Sequence, residues 1–340
     1  MDPVAVRFIR GDTVESVHRV SVAVADAGGR IVGSFGNPRL VTFLRSSAKP
    51  MQLVPLVESG AADRFAFTPK ELAIMAGSHG GEPDHVETVR GILAKIGLGA
   101  EALQCGRHAP YHQPSAERLG AAFTALHHNC SGKHSGMLAL AVHNGWDTTS
   151  YLSVDNPTQD AILRAVAKEC GLAAAKIPIG VDGCGVPSFG VPLKAGARAF
   201  ARLASAETVG GRRGVALRRI RDAMLAHPDM VAGLDRLDTD LMRALPGRIV
   251  VKAGAEACYG AALVGRGLGL CLKVEDGASR AVGPALVQVL GQLDAITPSQ
   301  KDAVKKHWAE PIRNVAGRLV GRVECDFELR KPRRMVSTVA

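Results

Sequence analysis

The stretch from Gly247 to Asp276 limits what this chain folds into more than any other. Gly247-Arg-Ile-Val-Val-Lys252-Ala253-Gly254 is followed by two apolar runs, beginning at Cys258 and Leu268, on either side of a Gly-Arg-Gly turn. Each run is too short for a helix, is rich in aliphatic residues and ends at glycine, which predicts neighbouring strands of an antiparallel sheet. The segment Ser16 to Phe35 repeats the pattern near the other end, alternating β-branched with small or polar residues around Asp26-Ala-Gly-Gly29, and predicts a hairpin. A further extended piece spans Leu40 to Leu44. Residues 1–45 and 247–295 therefore form the sheet portion, and helical spacing from Arg280 to Leu293 closes it.

Residues 46–230 read as mostly helical. Met51, Leu53, Val54, Leu56 and Val57 form an apolar stripe, and Thr68-Pro-Lys-Glu71 is a capping box with proline at the first helical position. Pro83 opens a helix to about Ile96. Another apolar helix follows from Met137 to Val142, capped by Asn129 or Ser131, and Asp155-Asn156-Pro157 caps one that reaches Cys170. Residues 194–228 read as two scaffold helices. A last amphipathic helix runs from about Ser299 to Trp308, followed by a mobile basic tail. The expected class is α+β or α/β, an antiparallel sheet flanked by helices with a helical subdomain, all of it one catalytic unit over 1–340.

With 46% hydrophobic and 22% charged residues, the 340-residue chain is ordinary globular protein. No apolar run is long enough to span a membrane and Met1-Asp2-Pro3-Val4 does not open a signal peptide, so a cytoplasmic location is expected. The seven cysteines include no C-x-x-C pair and suggest buried thiols, metal ligands or reactive groups rather than a disulfide framework. The net charge of +10 is scattered, and only 4% of residues are aromatic. A solvated basic surface explains this better than nucleic-acid binding.

Chemistry concentrates in four places. Arg45-Ser46-Ser47-Ala48-Lys49-Pro50 sets a serine three residues before a lysine, where a strand and loop deliver the chain to a helix N-terminus. Positions i and i+3 share a helix face, and a neutral lysine amine can take a proton from a hydroxyl. The same pattern also describes a capped helix with Lys49 in solvent. Gly77-Ser78-His79-Gly80-Gly81-Glu82 is a loop whose backbone can approach a ligand closely. His127-His128-Asn129-Cys130-Ser131-Gly132-Lys133-His134 is the densest cluster of reactive side chains, with Cys130 and Lys133 on one face of a helix start. Asp182-Gly183-Cys184-Gly185 follows a short apolar strand, and Cys130 and Cys184 together suggest a shared pocket. The thiols either pack, act as nucleophiles or bind a soft metal.

S-x-x-K at a helix start and K-A-G on a late strand, followed by a hairpin and helix, resemble the serine β-lactamase and penicillin-binding-protein layout. Ala253 replaces the hydroxyl residue of that family's third motif, and its S-D-N motif is absent. The whole set of motifs, in order, more closely resembles the Rhizobium etli-type (class 3) L-asparaginases. That resemblance implies a β-lactamase- and glutaminase-like fold, a homodimer, and hydrolysis of L-asparagine to L-aspartate and ammonia. It implies two Ser-Lys tandems, Ser46 with Lys49 and Ser78 with Lys252, and a zinc ion on Cys130, Lys133 and Cys184. Ser46, at the helix start, is the favoured nucleophile. By placement, Arg45 suits the substrate α-carboxylate and Asp182 or Glu82 its ammonium, with His79, Gly80, Asn129 and His134 as lining or supporting residues. Two rival readings are a serine acyl hydrolase acting on β-lactams or peptides, and a non-enzymatic basic binding protein.

Overall fold

The computed structural model describes residues 3–331. Among the described residues, eleven strands form two sheets: β1 (Val4–Arg10), β2 (Thr13–Asp26), β3 (Ile31–Phe35), β4 (Val41–Phe43), β5 (Ile179–Val181), β6 (Pro187–Pro192), β7 (Ile249–Gly254), β8 (Cys258–Leu263), β9 (Leu268–Val274), β10 (Ile312–Arg313) and β11 (Leu319–Cys325). The main sheet has eight strands in the order β10-β11-β1-β2-β9-β8-β7, with β3 beside β2. Every pairing in it is antiparallel. The architecture is mixed α+β, an antiparallel sheet with many helices.

The 14-residue β2 organises this sheet. Its first half pairs with β1 and its second with β9 on one edge and β3 on the other. The β2–β3 turn closes as the sequence predicts: Asp26 Oδ1 accepts the Arg30 N–H at 3.0 Å, and Gly29 takes the left-handed φ of 88°. Val20, Val22 and Val24 are fully buried, and so are the alternating Ser21, Ala23 and Ala25, so both faces of this strand are covered.

One cover is the helix Leu193–Ala204, which reaches the sheet backbone because β9 and β8 carry glycine beneath it. A Cβ on Gly269 would sit 2.0 Å from Ala197 O and 2.1 Å from Ala201 N, and one on Gly260 would strike the Phe200 ring. Gly269→Ala is therefore expected to destabilise the protein by about 3 kcal/mol, as overpacking of a closed core does. Urea unfolding measures this, and an unchanged midpoint would mean the helix is not seated so closely. Below this helix Glu169, fully buried, accepts from Arg202 Nε at 2.7 Å and Arg213 Nη1 at 3.2 Å, tying the surrounding helices together.

Residues 46–244 are predominantly helical, with β4, β6 and β5 forming a separate three-stranded sheet. Three features differ from expectation. The single helix expected through Met51–Val57 is two short ones, Lys49–Gln52 and Val54–Glu58, since Pro55 has no N–H to continue the ladder. Neither Asn129 nor Ser131 caps the helix Ser131–Asn144: Cys130 holds the cap position and Ser131 Oγ donates to Leu126 O at 2.9 Å. The basic C-terminal stretch is not all tail, because β10 and β11 form a hairpin and β11 pairs with β1. The remainder of the expected tail, 332–340, lies outside the described residues. Among the described residues, no helix is long and apolar enough to cross a membrane.

Candidate active site

A pocket of about 270 Å³ opens where the helical region meets the β7 end of the main sheet, and Ser46, Ser78, Asn129, Cys130, Asp182 and Cys184 all line it. Four motifs separated by up to 138 positions thus meet at one cavity, with Ala253 and Gly254 of β7 beside them. Arg45, which precedes the first serine, has a left-handed φ of 52°, unusual for a residue with a side chain. The chain turns there from β4 into a 3₁₀ turn, Arg45–Ala48, which holds Ser46 half-buried on the pocket wall. Gly254 permits this turn to lie against β7, since a Cβ there would be 2.6 Å from Leu44 O and 3.2 Å from Ser47 N.

Two lysines are buried beneath the pocket. Lys49 is 1% exposed and Lys252 0%, although lysine is among the residues least often enclosed. Lys49 Nζ donates to Gly77 O at 2.7 Å, Ser78 Oγ at 2.8 Å and Asn129 O at 3.4 Å. When the amine is neutral, the two carbonyls can keep its N–H groups while its lone pair turns to the Ser78 hydroxyl. Burial lowers the Lys49 pKa and the Lys133 cation adds to that, against the opposing pull of Cys130 and Cys184. Lys252 Nζ donates to Ala253 O at 2.7 Å; burial pushes its pKa down to about 7, with Asp238 opposing and Lys49 reinforcing.

The observed pairing is thus Lys49 with Ser78, and no Ser46–Lys49 or Ser78–Lys252 hydrogen bond forms among the described residues. Ser46 Oγ has no partner there and faces the cavity.

Cys130, Lys133 and Cys184 also come together. Lys133 Nζ donates to Cys184 Sγ at 3.0 Å, and Cys130 and Cys184 both line the pocket. The neighbouring Cys184 lowers the Cys130 thiol well below its ordinary value, with burial opposing and Lys49 and Lys133 adding to the fall. Among the described residues no three histidine, cysteine or carboxylate side chains converge as a metal site, so a metal here would need Lys133 as a ligand. Two sulfurs and an amine are a donor set that suits a soft divalent ion. His134, one helical turn after Cys130, shares Nδ1 with the Tyr151 hydroxyl at 2.7 Å, while its buried Nε2 has no partner among the described residues.

The charged residues expected to hold opposite ends of a substrate hold each other. Arg45 Nη2 donates to Asp182 Oδ1 at 2.8 Å and Arg45 Nε at 3.2 Å. Glu82 stands away from the pocket wall, its Oε1 accepting the Leu234 N–H at 2.9 Å. His79 is fully buried and shares Nε2 with Ser131 Oγ at 2.9 Å, while Gly80 O accepts from His112 N at 3.0 Å. These three residues shape the loop behind Ser78.

Sequence reasoning passed over His108, Tyr111, His128 and Arg236, which also line the cavity. It likewise missed Asp238, whose carboxylate accepts from Ala253 N at 2.7 Å and the Tyr259 hydroxyl at 2.9 Å, fixing β7 next to Lys252. Apart from His128, within the cluster already singled out, they lie in segments without a motif.

A family model described as L-asparaginase II matches residues 6–325. No curated protein matches the chain. Solved structures that are similar include a crystal structure of Mglu in its native form in the presence of 4.3 M NaCl, at 16% identity and TM-score 0.45 over 81% of this chain and 60% of that one. A second crystal structure of native Mglu shares 15% identity at TM-score 0.46, over 82% of this chain and 66% of that one. The chain spans less than two thirds of the length of either.

Proposed function

This chain belongs to the L-asparaginase II family, and from that we propose that it hydrolyses the side-chain amide of L-asparagine, releasing L-aspartate and ammonia, through a lysine-activated serine. The observation that carries the mechanism is the buried Lys49 amine 2.8 Å from Ser78 Oγ, beside a pocket that Ser46 also lines.

Ser46 Oγ attacks the amide carbon, forming the C–O bond, and its proton passes through the Ser78 hydroxyl to Lys49. Ser46 is the attacking group because its hydroxyl is unbonded and open to the cavity, whereas Ser78 is already engaged with the base. As the tetrahedral intermediate collapses, the C–N bond breaks and the proton held by Lys49 returns to the departing nitrogen, which leaves as ammonia. Water then attacks the aspartyl ester by the same route, giving its proton to Lys49; the C–Oγ bond breaks, L-aspartate leaves, and the proton returns from Lys49 to Ser46 Oγ. Lys252, close enough to disfavour charge on a neighbouring amine, keeps the pair of lysines from both being protonated near neutral pH.

The same reading takes the fold as β-lactamase-like, supported by the Ser46 turn packed against the Lys252-Ala253-Gly254 strand. It takes the protein as a homodimer, and it assigns zinc to Cys130, Lys133 and Cys184. Zinc bound there would act as a Lewis acid or anchor of the loops beside the nucleophile.

Ammonia release from L-asparagine, with mass spectrometry of the acid-quenched enzyme to locate an acyl group, tests this. The wild type is expected to be active, Ser46→Ala to lose at least about 100-fold in kcat, and the acyl group to be found on Ser46. An acyl group on Ser78 would exchange the two serines' roles. Full activity in both Ser46→Ala and Ser78→Ala would overturn the serine mechanism.

A further inference from the structure

We propose that Arg236 binds the α-carboxylate of the substrate and that Asp182, held by Arg45, receives its α-ammonium. This rests on the amidase reading above. Two guanidinium groups line the pocket, and they are in opposite situations. Arg45 is committed, with two of its nitrogens on Asp182 Oδ1. To release it for a substrate would break a charge-assisted pair and leave Asp182 without its counter-ion.

Arg236 is available. Its guanidinium carbon lies 4.9 Å from the centre of the Tyr111 ring, and among the described residues the group makes no hydrogen bond or ion pair. A guanidinium resting on an aromatic ring has its plane fixed, with its N–H edge left free. That planar fork matches a carboxylate in a two-bond arrangement, which an ammonium does not.

The complementary end is equally specific. Arg45 and the Gly183 N–H all bond to Oδ1 of Asp182, so Oδ2 has no partner among the described residues. Arg45 therefore holds the carboxylate in place and leaves its second oxygen for a cation. A free α-amino acid carries both charges that this pair of anchors requires, and an asparagine inside a peptide carries neither. The pocket selects free amino acids accordingly.

The test uses three amides: L-asparagine, succinamate, which lacks the ammonium, and 3-aminopropanamide, which lacks the carboxylate. Arg236→Gln is expected to raise KM for L-asparagine and succinamate by about 10- to 100-fold, the usual effect of losing a charged hydrogen-bond partner. Its kcat/KM for 3-aminopropanamide is expected to match that of the wild type, and Arg236→Lys to recover part of the loss. An unchanged KM for L-asparagine overturns the proposal, as does an equal loss on all three amides, which is what a structural role for Arg236 would produce. Calorimetric binding of L-aspartate reads the same contact without turnover. The wild type is expected to bind at least about 10-fold more tightly than Arg236→Gln, and equal binding, or none by either, overturns the assignment. Loss of ammonia release by the wild type with this binding difference intact would instead fault the amidase reading.

Discussion

Lys49→Met is expected to lower kcat for ammonia release by about 100- to 10,000-fold, the range typical of a lost general base, with KM little changed. The methionine nearly matches lysine in length and is more easily buried, so the surrounding packing survives. What disappears is the only amine within hydrogen-bond reach of Ser78 Oγ among the described residues. Gly77 O and Asn129 O also lose a donor, so a modest fall in stability is expected alongside the loss of rate. Kinetics at a temperature well below the unfolding midpoint separate the two effects. A variant retaining activity within about threefold would remove Lys49 from the chemistry, since no smaller effect is compatible with a base that takes the nucleophile's proton.

How much of this was legible in the sequence depends on the range of the signal. The Asp26–Gly29 turn, the Thr68 capping box and the Asn156 cap are local: a few residues hold all the physics, and each forms as expected, with Thr68 accepting from Glu71 N and Asn156 from Thr158 N. The β7–β8–β9 meander is equally local, its glycines marking where the strands end. The pairing of β1 with β11 is not, because Val6 and Cys325 are partners across nearly the whole chain and nothing near either names the other. The β11 sequence Leu-Val-Gly-Arg-Val-Glu-Cys carries charges and is exposed or half-buried throughout, and so resembles a tail.

The site divides in the same way. Motif residues Ser46, Ser78, Cys130, Cys184 and Lys252 were legible as chemistry because lysines, thiols and glycine loops are informative where they cluster. Their mutual geometry was not. Spacing of three residues suggested that Lys49 serves Ser46, but the 3₁₀ turn at Arg45–Ala48 leads into a helix that carries the Lys49 amine to Ser78 instead. Arg45 and Asp182, read as separate anchors, are brought together by β4 and β5, which flank β6 in one small sheet. Arg236 stood alone in a stretch with no motif, and only the fold brings it over Tyr111.

Lys252→Met is expected to abolish most activity while stabilising the protein, and the pH dependence of the stability difference identifies the cause. In the unfolded chain this lysine keeps its proton until the ordinary value of 10.5, whereas in the folded protein it releases it near 7. Between those limits the unfolded state binds more protons, so wild-type stability rises with pH across that window. Below about pH 7 the full cost of the buried charge is present; above 10.5 it is gone. Each pH unit between the two values corresponds to about 1.4 kcal/mol, although Asp238, left without a nearby cation by the substitution, returns part of the gain. Urea unfolding of both proteins from pH 6 to 10 should therefore show the variant ahead by several kcal/mol at the acid end, with the difference shrinking steadily as pH rises. A constant difference would mean that Lys252 keeps its proton throughout. In that case the acid limb expected in wild-type kcat/KM near pH 7, where the lysine becomes neutral, would have to come from another group. If the limb and the shrinking difference appear together, one titration accounts for both: near pH 7 a proton leaves the buried lysine pair, which relieves the cost of the buried charge and leaves an amine able to act as the base.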